Sequence, residues 1–522
     1  MPMRTITGVA LVVALAMAAP TSAAAQAPTK KKPKTGSIAV VVKRLPGKMK
    51  TKVTVTGPRN FTETRKTDEG FTLTKRRPGE YVASGTTLRY KKRYYFTSNA
   101  SGWVGKGKKR TLKLVYASSK SNPNPGPEIK PTPFGAVSGP VGITLVSHNP
   151  AGVSGNGDSA YPSYAPDGAL FFSSCASDLT GDTDACFAYR AAGGTITRIP
   201  QAFLGTDIID WGGQTTVSPD GTKLGFTTLV RLAPNDVDDN KDLYSLTFAD
   251  GSLVRVSQTT DGAGMSGGDE SPNTAEAPTW GPDSGRMAFL TQSTNLAQKD
   301  DWYDDLFVKN LATGGIVRAG VGRTVHHSSW SPGGDSIAFD AEDEESLADV
   351  EVDSNIYIVA SGGGSPWKFT TDNESFDPAW SPDGGRIAFA SNSPLAAGDT
   401  NETGDIYVKD VASGAITRIS VDSAGKETGW ASSHPVWSRD GSKIAFVVED
   451  GDYGQTVMVK NLATGAMTQV FDSVAAGGTN NDFVVSGLTF SPDGAGLAFE
   501  SDYPRITGGD TNRAFDVFVA GL

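Results

Sequence analysis

Three residues stand at matching places in successive stretches of this chain. His327, Asp377 and His434 each lie three residues before a tryptophan that opens a short turn. Two imidazoles and a carboxylate can hold a transition metal or serve as an acid–base set. The same register elsewhere gives Tyr161, Gln214, Ala277 and Gly487. These positions can therefore equally line a wet channel and cap the starts of strands. Of the four histidines in the chain, two fall on this register. The others, His326 and His148, are expected on loops.

A second candidate chemistry is an acidic loop. Gly-Asp-Thr occurs at 181–183, 398–400 and 509–511. Two copies extend to Asp399, Asn401 and Asp405, and to Asp510, Asn512 and Asp516. A related stretch carries Asp236, Asp238, Asp239, Asn240 and Asp242. Carboxylate and amide oxygens at alternate positions can converge on Ca²⁺. The central Gly and closing Glu of an EF-hand loop are absent, and Asx turns that close a long hairpin would use the same residues. The only cysteines, Cys175 and Cys186, form an even pair, which in an exported protein points to a disulfide. Aligning the copies sets Cys175 on Asn392 and Cys186 on Asp405. A covalent tie in one copy would then replace polar partners in another.

What must position these residues is a repeat. A turn motif recurs seven times: at 165–168, 218–221, 281–285, 331–334, 381–384, 438–441 and 491–494, with Ser-Pro-Asp-Gly as its commonest form. Pro presets φ for the first central position, and Asp and Gly tolerate the next. A packing residue precedes each turn and an apolar run such as Ile387-Ala-Phe389 follows. A period of 50 to 63 residues signals a propeller or array, with each motif joining strands one and two of a four-stranded blade. The last copy runs only to its third strand. Residues 143–147 (Ile-Thr-Leu-Val-Ser) match the fourth strand at 416–420 (Ile-Thr-Arg-Ile-Ser). They are expected to complete the seventh blade and remove an open sheet edge.

The copies at 378–384 (Pro-Ala-Trp-Ser-Pro-Asp-Gly), 330–334 and 490–494, each followed by a buried Ala-Phe, resemble the TolB-type, WD40-like propeller repeat. The resemblance covers roughly residues 143–522. It implies an all-β, seven-bladed β-propeller of a secreted or periplasmic protein that binds protein or peptide partners. Some propellers of this superfamily resemble oligogalacturonate lyase and carry His-rich metal centres. His327, Asp377 and His434 offer a lean version, with Arg323 as a thin candidate to neutralise a uronate.

The rest of the chain is organised differently. Residues 1–27 read as a signal peptide: Arg4, an apolar run over 9–19, then small residues. A basic tail (28–36) leads into a small basic domain (37–117) with short strands parted by Pro-Gly and Gly-Pro turns. It is expected to be a small β-sandwich, and its Val-Thr-Val-Thr-Gly-Pro (53–58) and Arg-Pro-Gly-Glu-Tyr (77–81) resemble prealbumin-like or carboxypeptidase-regulatory-like modules. A Pro-rich linker (118–141) precedes the propeller (142–522). Charge divides the same way. Residues 28–120 hold 25 Lys/Arg against 4 Asp/Glu, whereas residues 121–522 hold 22 against 53. The basic part can meet anionic envelope polymer or lipid, or balance the acidic propeller. Nucleic acid is not expected for an exported protein.

No phosphate loop or Cys-x-x-Cys spacing occurs. Two functions remain. One is a protein-, peptide- or glycan-binding scaffold at the cell envelope, without enzymatic activity. The other is a metal-dependent, lyase-like enzyme with a channel site. Ca²⁺ or a transition metal are the cofactors these residues allow.

Overall fold

The computed structural model describes ten strands between residues 36 and 119. Beyond them it describes residues 141–181, 186–199, 213–266, 274–297, 304–320, 324–342, 354–401, 403–427, 429–449, 454–472 and 484–522. The stretch expected to be a signal peptide, most of the expected basic tail and linker, and Arg323 lie outside the described residues. The chain divides into two compact units, Met1–Pro125 and Gly126–Leu522. All described regular structure is β, and no described helix is long and apolar enough to cross a membrane.

In the first unit, Gly36–Lys43 lies between antiparallel Gly70–Arg76 and parallel Lys109–Val115. A second sheet runs Phe61–Thr67, Thr51–Gly57, Gly79–Gly85, Ala100–Val104. Ile38, Val40, Leu73 and Leu112 of the first sheet share one core with Val53, Val55, Tyr81 and Ala83 of the second. The apolar run Ile38–Val42 and the alternation Val53-Thr54-Val55 supply this shared core.

The second unit is a seven-bladed β-propeller. Seven four-stranded antiparallel sheets follow one another, and the first strand of each neighbours the first strand of the next, the seventh returning to the first. The fifth blade is representative: Ser375–Trp380, Arg386–Ser391, Asp405–Asp410, Ile416–Arg418. Its turn is built as the sequence dictates. Ser381 Oγ donates to Asp383 Oδ1 at 2.5 Å, Asp383 Oδ1 accepts the Gly385 N–H at 3.0 Å, and Gly384 takes φ of 72°. Only glycine adopts that backbone at little cost. The second strands are buried over their central residues. Phe389 stacks near Tyr407 at 6.0 Å between centroids. Blades are also tied side to side: Trp437 Nε1 donates to the Ala379 carbonyl at 3.0 Å across the fifth and sixth.

The ring closes between the ends of the propeller sequence. The seventh sheet contains Val485–Phe490, Gly496–Ser501, Asp516–Gly521 and, from the other end, Ile143–Leu145. Ile143, Thr144 and Leu145 pair with Ala520, Val519 and Phe518. The edge that the last copy would leave open is thus covered by its missing fourth strand.

Candidate functional site

The first strands do not pair regularly. In six blades the ladder with strand two shifts register, between Phe376 and Ala379 in the fifth and between Ser433 and Val436 in the sixth. The residue inside the bulge is the one singled out by register in the sequence. Tyr161, Ala277, Asp377, His434 and Gly487 all have φ between 47° and 63°. Because Ala277 and Gly487 share the strained backbone with Asp377 and His434, the bulge belongs to blade architecture, and its strain alone does not mark a site.

A bulged N–H has no ladder partner, and side chains supply one. Asp377 Oδ2 accepts the His434 N–H at 2.9 Å, Gln214 Oε1 the Ala277 N–H at 2.7 Å, and Asp340 Oδ1 the His327 N–H at 2.7 Å. Glu500 takes the Tyr161 N–H. Asp340 and Glu500 are not among the residues that the repeat register singles out. Their signal is a charged residue directly after the buried Phe339 and Phe499, inside an otherwise apolar run.

His327, Asp377 and His434 come together across the inner strands of three adjacent blades. His327 Nδ1 lies 3.0 Å from Asp377 Oδ1 and 3.3 Å from Asp340 Oδ2, while His434 Nδ1 lies 3.7 Å from Asp377 Oδ2. The imidazole centroids stand 6.1 Å apart, edge to face. Asp377 is buried and the imidazoles are half-exposed. Burial opposes a charge on His327, but hydrogen bonds to Asp340 and Asp377 and their negative charges overcome it, raising its pKa to about 10. Burial likewise opposes charge on Asp377, yet the two imidazoles and the His434 N–H hold it below the usual carboxylate range.

Donor atoms of this trio lie within 4.8 Å of one another. A metal would have to displace the proton on His327 Nδ1 and compete for oxygens already committed to the imidazole and a backbone N–H. The fit to a metal is therefore incomplete. His326 lies in strand Val325–Trp330, not on a loop, because strand one starts ahead of the bulge. Its Nε2 is 4.0 Å from Glu342 Oε1. His148 forms an isolated bridge with Ser154.

The acidic loops have a different centre. In the fifth blade Arg418 Nη1 lies 3.4 Å from Asp399, 3.3 Å from Asp405 and 2.5 Å from Glu427. Tyr407 Oη donates to Asp399 and Ser420 Oγ to Asp405. Asn401 Nδ2 reaches Asp405 Oδ2 at 3.4 Å. In the second blade Arg255 meets Asp236 at 3.6 Å and Asp238 at 3.2 Å, and pairs with buried Asp242. In both blades a guanidinium occupies the centre of the acidic set. In the seventh blade Asp510 and Asp516 are buried. Burial and the nearby Asp510 push the Asp516 pKa up to about 8, against a hydrogen bond from Ser147.

Cys175 and Cys186 form a disulfide between the end of strand two and the start of strand three. Its register corrects the alignment. Phe172 pairs with Tyr189 as Phe389 pairs with Tyr407, so Phe187, not Cys186, stands at the place of Asp405. Cys186 takes the place of Gly404, which faces Asn392 in the fifth blade. The shift arises because the loop of the first blade is shorter. Arg198, in the position of Arg418, stacks on the Phe187 ring at 4.4 Å.

Residues 254–478 match the family model described as the TolB beta propeller domain. Over those residues the propeller is similar to that family. Several solved structures resemble this propeller. TolB from Acinetobacter baumannii is 15% identical over 68% of this chain and 76% of that one, with a TM-score of 0.36. An oligogalacturonate lyase from Vibrio parahaemolyticus is 15% identical over 73% and 94%, with a TM-score of 0.48. An oligogalacturonate lyase in complex with manganese is 16% identical over 74% and 98%, with a TM-score of 0.46. Similarity of this degree transfers no activity. No curated protein matches the chain.

Proposed function

We propose that the protein is an exported binding scaffold of the cell envelope, whose TolB-type propeller takes a protein, peptide or glycan partner at the inner ring of His327 and His434. One observation carries this proposal. Two half-exposed imidazoles flank one buried carboxylate, Asp377, whose Oδ1 meets His327 Nδ1 and whose Oδ2 accepts the His434 N–H, while Asp340 and Ser433 Oγ meet the two rings from the other side. Groups fixed in this way recognise a polar ligand without needing to rearrange. The basic first unit, proposed as a small β-sandwich spanning 37–117, would tether the protein to anionic envelope polymer or lipid.

The test is binding to peptide and glycan arrays by the wild type and by His327→Ala/His434→Ala. Specific binding lost in the variant is expected. Identical binding by both would remove the inner ring from the proposal. The convergence of His327, Asp377 and His434 favours a second reading, a metal-dependent lyase-like enzyme. It requires a stoichiometric transition metal, lost in the same variant, and cleavage of a uronide.

A further inference from the structure

Three blades pair an acid at the head of strand three with a base thirteen residues on, in strand four. Asp242 has Arg255, Asp305 has Arg318 at 2.8 Å, and Asp405 has Arg418. The bases stand at one register position, opposite Tyr244, Phe307 and Tyr407. Where the acid is absent, the pairing changes with it. The fourth blade has Asn355 and Lys368, and the first has Phe187 with Arg198 stacked upon it.

The seventh blade breaks this rule. It keeps three of the oxygen donors, Asp510 in the place of Asp399, Asn512 in that of Asn401 and Asp516 in that of Asp405, while Ser154 stands in the place of Glu427. Backbone contacts confirm the equivalence. Asn512 Oδ1 accepts the Ala514 N–H at 3.1 Å, as Asn401 Oδ1 accepts that of Thr403. Ser147 Oγ donates to Asp516 Oδ1 at 2.6 Å, as Ser420 does to Asp405. Opposite Phe518, however, where the base belongs, stands Leu145. The tyrosine hydroxyl that engages Asp399 is also missing, since Phe518 replaces Tyr407. Asp516 is 0% exposed, and its Oδ2, the counterpart of the oxygen 3.3 Å from Arg418, has no hydrogen-bond partner. A buried carboxylate oxygen without a cation or donor is costly.

We propose that the seventh blade binds a divalent cation, Ca²⁺, between Asp510, Asn512 and Asp516, where other blades hold an arginine guanidinium. Hard carboxylate and amide oxygens suit Ca²⁺ better than a transition metal. The site lies where Ile143–Leu145 closes the ring, so the ion would strengthen the closure. It is independent of the inner-ring proposal.

The experiment uses the full chain purified without chelator. Calcium is titrated calorimetrically to about 10 mM, above the weak limit of extracellular calcium modules. Melting is followed with calcium and with EGTA. One equivalent of bound Ca²⁺ and a Tm rise reversed by EGTA are expected. Leu145→Arg, which restores the guanidinium, should abolish both, and Asp510→Asn should weaken binding at least tenfold. Absence of binding with an unchanged Tm overturns the proposal, as does one equivalent still bound by both variants. If Leu145→Arg does not fold, the wild-type titration and Asp510→Asn decide.

Discussion

The proton of His327 is tied to the stability of the inner ring. Its folded pKa, about 10, lies well above the ordinary histidine value of about 6.5. Its contribution is therefore complete below about pH 6.5 and is lost as pH rises towards 10. The Tm difference between the wild type and His327→Asn should shrink over that window. A difference that stays constant from pH 6 to 10 would mean that the Asp340–His327–Asp377 pairing is electrostatically idle. Arg418 is the converse case. It is buried among Asp399, Asp405 and Glu427, and Arg418→Met leaves those acids unpaired. Urea melts should show a loss of about 3–5 kcal/mol.

At the scale of the strand, the bulge makes an opposite pair of predictions. Ala277 carries φ of 47°, a conformation that costs an L-residue roughly 1–2 kcal/mol. Ala277→Gly relieves this while loosening the unfolded chain, so stability should stay level or rise by up to about 1 kcal/mol. Gly487→Ala adds a Cβ 3.0 Å from Pro162 Cδ and 3.1 Å from Glu500, at φ of 63°. It should cost at least about 1 kcal/mol, and equal melts for the two variants would contradict the strain account. The acidic loop illustrates how a motif reads differently alone and in its sheet. Asp399, Asn401 and Asp405 look like ligands in the sequence. Strand pairing places Arg418 among them, and nothing in the loop itself announces that arginine.

For the whole molecule, ring closure concentrates stability in a few bonds between distant residues. Ser147 Oγ donates to Asp516 Oδ1 at 2.6 Å and accepts the Val517 N–H at 2.9 Å, nearly the full propeller apart in sequence. Ser147→Ala strips both partners from buried groups and should cost about 1–3 kcal/mol per group left unsatisfied. Protease sensitivity should rise first at Ile143–Leu145. A melt within error of the wild type would show that closure does not rest on this serine.

The sequence by itself determined the repeat, the turn chemistry, the count of seven blades and the strand that closes them. All follow from local rules: Pro-Asp-Gly turns, apolar runs of fixed phase and a missing fourth strand supplied at 143–147. It also named the inner-ring register, because one position repeated seven times is visible without coordinates. Only the tertiary structure decided what those residues touch. Asp340 and Glu500 cap bulges whose existence depends on pairing between strands. Cys186 proved to stand at the place of Gly404, because register is set by side chains packing between sheets rather than by matching loop letters. Leu145 gains meaning only when strand pairing sets it where three other blades carry an arginine paired with an acid.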